Sequence, residues 1–204
     1  MKLTLTRVTT LSLSLLLAAC ASEVATNYNP LDDFEQLDPT TIFAMPEPLP
    51  TPNYSAEQLQ HGKYLVGLLG CGSCHTDGAL VGSVNSERIL AGSSVGIAYT
   101  SPLVDSFPGV VYPPNLTPDM ETGLGSWTIN RLVQMIRIGT IDHSARSLPV
   151  MPWPAYAGIT ENDAFAIAAY LKSLPPVRHQ VPENVRPGRS ASAPFVHFGV
   201  YQSK

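Results

Sequence analysis

The chain has 204 residues, with 12 lysines and arginines against 16 aspartates and glutamates, a formal net charge of −4. That length fits one domain with tails, or at most two small ones. The acidic balance leaves no basic stripe to neutralise phosphates, so nucleic acid is excluded as a partner.

Met1 to Ala19 opens on Lys2 and Arg7 and continues as an apolar run from Leu11 to Ala19, interrupted by Ser12 and Ser14. It is short for a bilayer span and reads as an export signal. Its removal takes Lys2 and Arg7 away with no acid, which moves the formal charge from −4 to −6. The run ends Leu17-Ala18-Ala19-Cys20, which resembles the lipobox of bacterial lipoproteins. That resemblance implies a diacylglycerol on the Cys20 sulfur and an N-acyl chain, and more than one chain makes anchoring stable. The expected place is the periplasmic face of a bacterial membrane, and Ala21 in the next position favours the outer one by the same analogy. The plain alternative is an ordinary secretory signal with a free cysteine nearby.

Residues 20–54 form the expected tether. They are acidic (Asp32, Asp33, Glu35, Asp38) and end in Met45-Pro46-Glu47-Pro48-Leu49-Pro50-Thr51-Pro52. Such a run makes a stiff, polyproline-like spacer of roughly 3 Å per residue. It could instead wrap along the domain or a partner, anchored by Leu31, Phe34 and Ile42.

Residues 55–177 read as one folded domain. Ser55-Ala56-Glu57-Gln58 is a capping box. Leu59, Gly62, Val66 and Leu69 follow near one face, and Gly62 leaves room for a close helix crossing. The helix leads into Cys71-Gly72-Ser73-Cys74-His75. Two cysteines two residues apart with a histidine directly after form the attachment site of one c-type haem. Each thiol adds to a vinyl group, and His75 becomes an iron ligand. A zinc half-site would need a second Cys or His pair, and the third cysteine is the distant Cys20. A thioredoxin-like redox pair would need a βαβ context that is missing.

Thr76 to Leu124 is rich in Gly, Ser and Pro, with short β-like patches at 97–100 and 110–112 but no clear helix. So long a stretch is unusual inside a compact domain unless it packs on a large prosthetic group. A second helix, capped by Ser126, carries Ile129, Leu132, Val133 and Ile136 at helical spacing and ends at Gly139. A third, capped by Thr160, runs to Pro175-Pro176. The expectation is an all-α domain of three main helices around one cofactor.

A haem that only carries electrons needs a sixth ligand. Candidates are Met120, Met135, Met151, His61, His143 and His179. Met151 is favoured, because Pro149, Pro152 and Pro154 stiffen its loop and so hold a weak thioether at low entropic cost. His143 is the main rival, and Met151 as plain core filler is the bland reading.

The segments 109–119 (Gly-Val-Val-Tyr-Pro-Pro-Asn-Leu-Thr-Pro-Asp) and 121–128, with Arg137-Ile138-Gly139, Met151-Pro152-Trp153, Glu161-Asn162-Asp163-Ala164 and 170–177, resemble one branch of the class I cytochromes c. That branch includes the cytochrome subunits of bacterial membrane-bound alcohol and aldehyde dehydrogenases. The resemblance implies a cytochrome c fold, haem-edge roles for Asn115 and Thr117 near a propionate, and Trp127 packed close by. It also implies a crossing of the first and last helices near Gly62 and Tyr170. Ordinary turn chemistry for Asn115 and Thr117, and plain core for Trp127, stay open. Members of that branch often carry three such domains, whereas this chain has one haem motif.

Residues 178–204 are proline-rich and end in an apolar stretch, 194–201, expected to pair as a strand with 110–112 or to dock on a partner. The function expected is one-electron transfer by a lipid-anchored single-haem cytochrome, not an enzyme by itself. Its redox partners would be a protein donor and acceptor, such as a dehydrogenase or respiratory complex. The alternative is a haem enzyme or gas sensor with a labile sixth site.

Overall fold

Ser55 begins the first helix as its sequence dictates. In the computed structural model, which describes residues 44–99, 109–139 and 150–197 (the side chains of Trp153 and Pro154 apart), its hydroxyl accepts the Gln58 N–H at 3.2 Å. The Gln58 side chain in turn accepts the Ser55 N–H at 2.9 Å, so two orphan donors are satisfied at once. The export signal, Cys20 and His143 lie outside the described residues.

Helix α1 (Ala56–Leu68) turns Leu59, Gly62 and Val66 inward. Helix α2 (Cys71–His75) is a single turn directly after it. Helix α3 (Ile129–Ile138) starts at Thr128, whose hydroxyl accepts the Arg131 N–H at 3.3 Å, and not at Ser126 as expected. Ser126 sits in the preceding turn, closed by the Trp127 N–H on the Leu124 carbonyl, so it is too early to reach the helix. Gly139 ends α3 in the left-handed region at φ 71°, where glycine is free of the Cβ penalty. A short helix α4 (Trp153–Tyr156) precedes α5 (Glu161–Lys172), which Thr160 caps by accepting from Asp163.

Helix α5 is buried along its C-terminal half, from Ala166 to Leu171. It meets α1 backbone to backbone. A Cβ built on Gly62 would lie 2.0 Å from the Ala166 carbonyl oxygen and 2.7 Å from the Tyr170 Cβ. Val66, Leu132, Ile167, Tyr170 and Leu174 form the core between α1, α3 and α5.

The all-α expectation needs a correction. Strands β1 (Gly96–Tyr99), β2 (Gly109–Val111) and β3 (Phe195–His197) form a sheet in the order β2-β1-β3. β1 pairs antiparallel with β2, Ile97 opposite Val111, and parallel with β3, Ile97 opposite Val196. The tail, expected against 110–112, lies instead on the other edge of β1, because the β2 edge is already taken. Val185 exchanges both backbone bonds with Val110, at 2.9 and 2.8 Å, and the Asn184 side chain accepts the Tyr112 N–H.

The described end of the expected spacer also lies on the domain. The Leu49 N–H donates to the Ser173 carbonyl at 2.7 Å, the Tyr170 hydroxyl donates to the Pro46 carbonyl at 2.7 Å, and Lys63 pairs with Glu47. The described end of this stretch therefore lies along the domain and the folded unit begins before Ser55, while Leu31, Phe34 and Ile42 lie outside the described residues. At the other end the unit extends past Val177. The buried His179 Nδ1 donates to the Ala91 carbonyl at 2.9 Å. A carbonyl only accepts, so Nδ1 carries the proton and Nε2 is left to accept from Ser94 and Arg88, at 3.2 and 3.3 Å.

Gly62→Ala tests the crossing. The helix gains about 1 kcal/mol of propensity. The new Cβ, however, strikes a backbone carbonyl that cannot rotate away, and overpacking of that kind costs roughly 3 kcal/mol. Net destabilisation is therefore expected in denaturant unfolding of the mature protein, and a variant as stable as wild type would contradict the crossing.

Candidate haem-binding site

Gly70 connects α1 to α2. At φ 67° it is in the left-handed region, which lets the chain stop one helix and start the next without a linker. Within α2, Cys71, Cys74 and His75 stand at i, i+3 and i+4, so one helical face presents both sulfurs and the imidazole. Both cysteines are free and half-buried. Burial pushes the Cys71 thiol up to about 11 and also raises Cys74, so both are neutral thiols at neutral pH. Among the described residues no cluster of three or more His, Cys, Asp or Glu is arranged to hold a metal ion.

His75 is 6% exposed. Its Nδ1 lies 2.8 Å from the Pro114 carbonyl oxygen and must donate to it. That fixes the tautomer and leaves the Nε2 lone pair for a metal. Burial lowers the imidazole pKa, against a smaller opposing effect of the Pro114 bond, and so keeps the ring neutral as a metal ligand requires.

The loop below holds that carbonyl in place. The Gly92 N–H donates to the His75 carbonyl at 2.9 Å, and the Ser93 N–H donates to the Pro113 carbonyl at 3.0 Å. A Cβ on Gly92 would come within 2.8 Å of the Asn115 nitrogen, and φ there is 86°. The Thr76 hydroxyl accepts the Leu90 N–H, and Asp77 binds both Arg88 and the Ser94 N–H.

Asn115 and Thr117 are each 1% exposed, and their polar atoms are spent inside the protein. The Asn115 carbonyl oxygen accepts from the Thr117 N–H and hydroxyl, at 2.9 and 2.8 Å. Its amide donates to the Val177 carbonyl at 2.7 Å and to the Thr122 hydroxyl at 3.1 Å. Thr122 in turn donates to Asp119 at 2.7 Å and accepts the His179 N–H. The loop is thus a brace joining 115–122 to the chain after α5. Trp127 is half-buried beside the core, with the Arg131 guanidinium 3.8 Å over its ring.

Met151 is half-buried and directly precedes α4. Tyr156, at the end of α4, is buried. Burial, and then the nearness of Cys71 and Cys74, push its phenol up to about 12. Of the other candidates, His61 bonds Asp163 at 2.7 Å, His179 has both nitrogens engaged, and Met120 is 69% exposed. Met135 is half-buried on α3.

These residues fit a covalently held haem: two thiols and an imidazole lone pair on one face, and a thioether in the loop before α4. In addition Arg137 Nε is the buried side-chain nitrogen or oxygen without a hydrogen-bond partner among the described residues. Sequence reasoning does not reach Pro114, Gly92 or Tyr156. The Pro114 contribution is a backbone carbonyl, which leaves no side-chain signature. Gly92 is hidden in a glycine-rich loop, and Tyr156 is an aromatic in a short helix.

No family model matches the chain. It is similar to a subunit of the nicotinate dehydrogenase of Pseudomonas putida, 31% identical over 132 residues, which is 65% of this chain and 10% of that one. It is also similar to the fructose dehydrogenase cytochrome subunit of Gluconobacter japonicus, 31% identical over 65% of this chain and 24% of that one. A diheme cytochrome c-type protein of Cereibacter sphaeroides is 32% identical over 52% of this chain and 33% of its own. The chain thus spans between a tenth and a third of the length of these relatives. Cytochrome c subunits of dehydrogenases recur among them.

Asn115→Ala is expected to lower stability by roughly 3 kcal/mol, since it strips buried groups of their partners, while the haem is still attached. Denaturant unfolding and the mass of the mature protein check both halves. Asp119 gives a pH signature. The Thr122 hydroxyl and N–H, outweighing a small opposing desolvation, hold its carboxyl below the ordinary range. Its stabilisation is complete above the unfolded pKa and is lost as pH falls through the folded one. Urea midpoints should fall at acid pH less steeply in Asp119→Asn than in wild type.

Proposed function

We propose that the protein is a class I cytochrome c that transfers single electrons through one haem. The haem is attached at Cys71 and Cys74 and ligated by His75 and Met151. The single observation that carries this is the His75 imidazole, buried in the attachment turn, with Nδ1 donating to Pro114 and Nε2 left for iron. When bound, the haem supplies a one-electron Fe(III)/Fe(II) couple. The chain's own work is to hold and shelter it. α2 presents the attachment face, the Pro114 carbonyl fixes the imidazole, and the loop before α4 brings a thioether. With His75 and Met151 as its protein ligands, the haem would be closed to substrate, and the chain would tune its potential and place its edge near partners.

The electron donor or acceptor is a dehydrogenase or a related respiratory complex, in line with the names of the relatives. Lipid on Cys20 anchors the chain at the periplasmic face of a bacterial membrane. The charge of −6 expected after export favours a partner with a basic docking patch, and the on-rate falls as salt rises. Asn115 and Thr117 act as the brace of the loop and not as direct propionate donors, and Trp127 packs beside it.

Optical spectra of the matured protein, wild type and Met151→Ala, test the proposal. The wild type should carry covalent haem and be low-spin, with the weak far-red band of a thioether-ligated ferric iron. Met151→Ala should lose that band and bind carbon monoxide readily when reduced. A high-spin wild type would favour the enzyme or sensor reading. A low-spin protein unchanged by Met151→Ala would move the sixth ligand to a histidine such as His143.

A further inference from the structure

Beyond α5 the chain runs along β2 and builds the wall of an open cavity of about 330 Å3. Glu183, Asn184, Arg186, Arg189, Ser190 and Ser192 line it. The wall is anchored at both ends. Val185 exchanges both backbone bonds with Val110, the Asn184 side-chain oxygen accepts the Tyr112 N–H at 2.8 Å, and the Tyr112 hydroxyl donates to the Ala193 carbonyl at 2.9 Å.

Between those anchors lies Arg186-Pro187-Gly188-Arg189. The Arg189 N–H donates to the Arg186 carbonyl at 3.1 Å, and Gly188 has φ 77°. Proline followed by a left-handed glycine is the pattern of a type II turn, whose ends lie within about 7 Å of each other between Cα atoms. The turn thus sets two arginines side by side at the cavity. Among the described residues Lys63 pairs with Glu47, Arg88 with Asp77 and Arg178 with Glu121, whereas Arg186 and Arg189 pair with no acid. Two arginines against Glu183 give the lining a positive charge, on a chain whose formal charge is −4.

The remaining polar groups are donors as well. The Asn184 oxygen is spent on Tyr112, so its NH2 is the end left to bind, and Ser190 and Ser192 add hydroxyls. A guanidinium neither sheds its proton nor accepts, so this wall suits an anion. Arginine forks fit both carboxylate and phosphate, and charge alone does not choose between them. The number of acceptors does. A carboxylate has two oxygens, whereas a phosphate monoester offers three and carries close to two negative charges at neutral pH. Two forks with added hydroxyls match the phosphate. A cavity of about 330 Å3 also leaves room for a small organic group on the ester.

We propose that this cavity binds a phosphate monoester dianion, gripped by Arg186 and Arg189 across their turn. Ser190, Ser192 and the Asn184 amide donate to the same group. The phosphate belongs to a free small molecule or to a phosphorylated lipid headgroup. Nothing in this site depends on the haem-binding reading.

Calorimetry and phosphorus NMR of the full mature protein, titrated with glycerol phosphate, test the proposal. Wild type should bind at one saturable site. Arg186→Gln and Arg189→Gln should each weaken binding about tenfold or more, the loss of one charge-assisted pair. Glu183→Gln removes the opposing charge and should tighten it. Haem spectra and far-UV dichroism should match wild type in all three. Sulfate, with the same shape and charge, should compete, and succinate should not. Dihexanoyl phosphatidic acid below its micellar concentration separates the two sources. Tighter binding than glycerol phosphate supports the lipid headgroup, and equal or weaker binding supports the free ester. Three results would overturn the proposal: no saturable binding, undiminished binding with both arginines replaced by glutamine, or succinate competing as well as sulfate.

Discussion

The backbones of α1 and α5 touch where Gly62 passes the Ala166 carbonyl, and much of the molecule is positioned by that contact. It sets the height at which α1 ends, and Gly70 turns the chain there without a linker. The face carrying Cys71, Cys74 and His75 is therefore placed relative to α5 by a steric contact that has no slack. Tyr170, fully buried at the same crossing, donates to the Pro46 carbonyl, which ties the segment before the first helix to the last one. A backbone contact suits this task, since it depends on no rotamer and on no charge.

Around that helix pair the protein relies on hydrogen bonds more than on secondary structure. Among its described residues, the stretch from Thr76 to Leu124 holds two short strands and single turns. Buried loops carry many backbone polar groups, and each needs a partner. Thr76, Asp77, Asn115, Thr117, Asp119 and Thr122 supply those partners, the first, third and fourth of them buried and the others half-buried. One product of the network is the Pro114 carbonyl in the position that selects the His75 tautomer. An imidazole held in one tautomer and one orientation is a dependable metal ligand.

Both ends of the folded unit are strapped down. The stretch from Met45 to Leu49 lies along the helix pair, and the chain from His179 to His197 crosses the sheet. The strap explains why a proline-rich composition does not here mean a free spacer. Prolines cannot extend a sheet or helix by themselves, but their carbonyls accept hydrogen bonds as Pro46 does. The strand partner of the tail departs from expectation for a related reason. Pairing depends on which edge is open, and the β2 edge is occupied by Asn184 and Val185, two residues with no strand-like pattern.

What is legible in the sequence alone is local. The capping box at Ser55, the cap at Thr160, the stop at Gly139, the small residue at Gly62 and the spacing of Cys71, Cys74 and His75 each act within a few residues. Spacing along a chain is the same before and after folding. The Ser126 cap fails on the same scale, because two hydroxyl residues compete and the turn closed by Leu124 chooses Thr128. Only the tertiary structure decided that Pro114 orients His75, that Asn115 and Thr117 brace a loop, and that Arg137 Nε is left without an acceptor. Each of these joins groups tens of residues apart, or depends on a backbone carbonyl common to every residue type. Neither leaves a mark in the order of side chains.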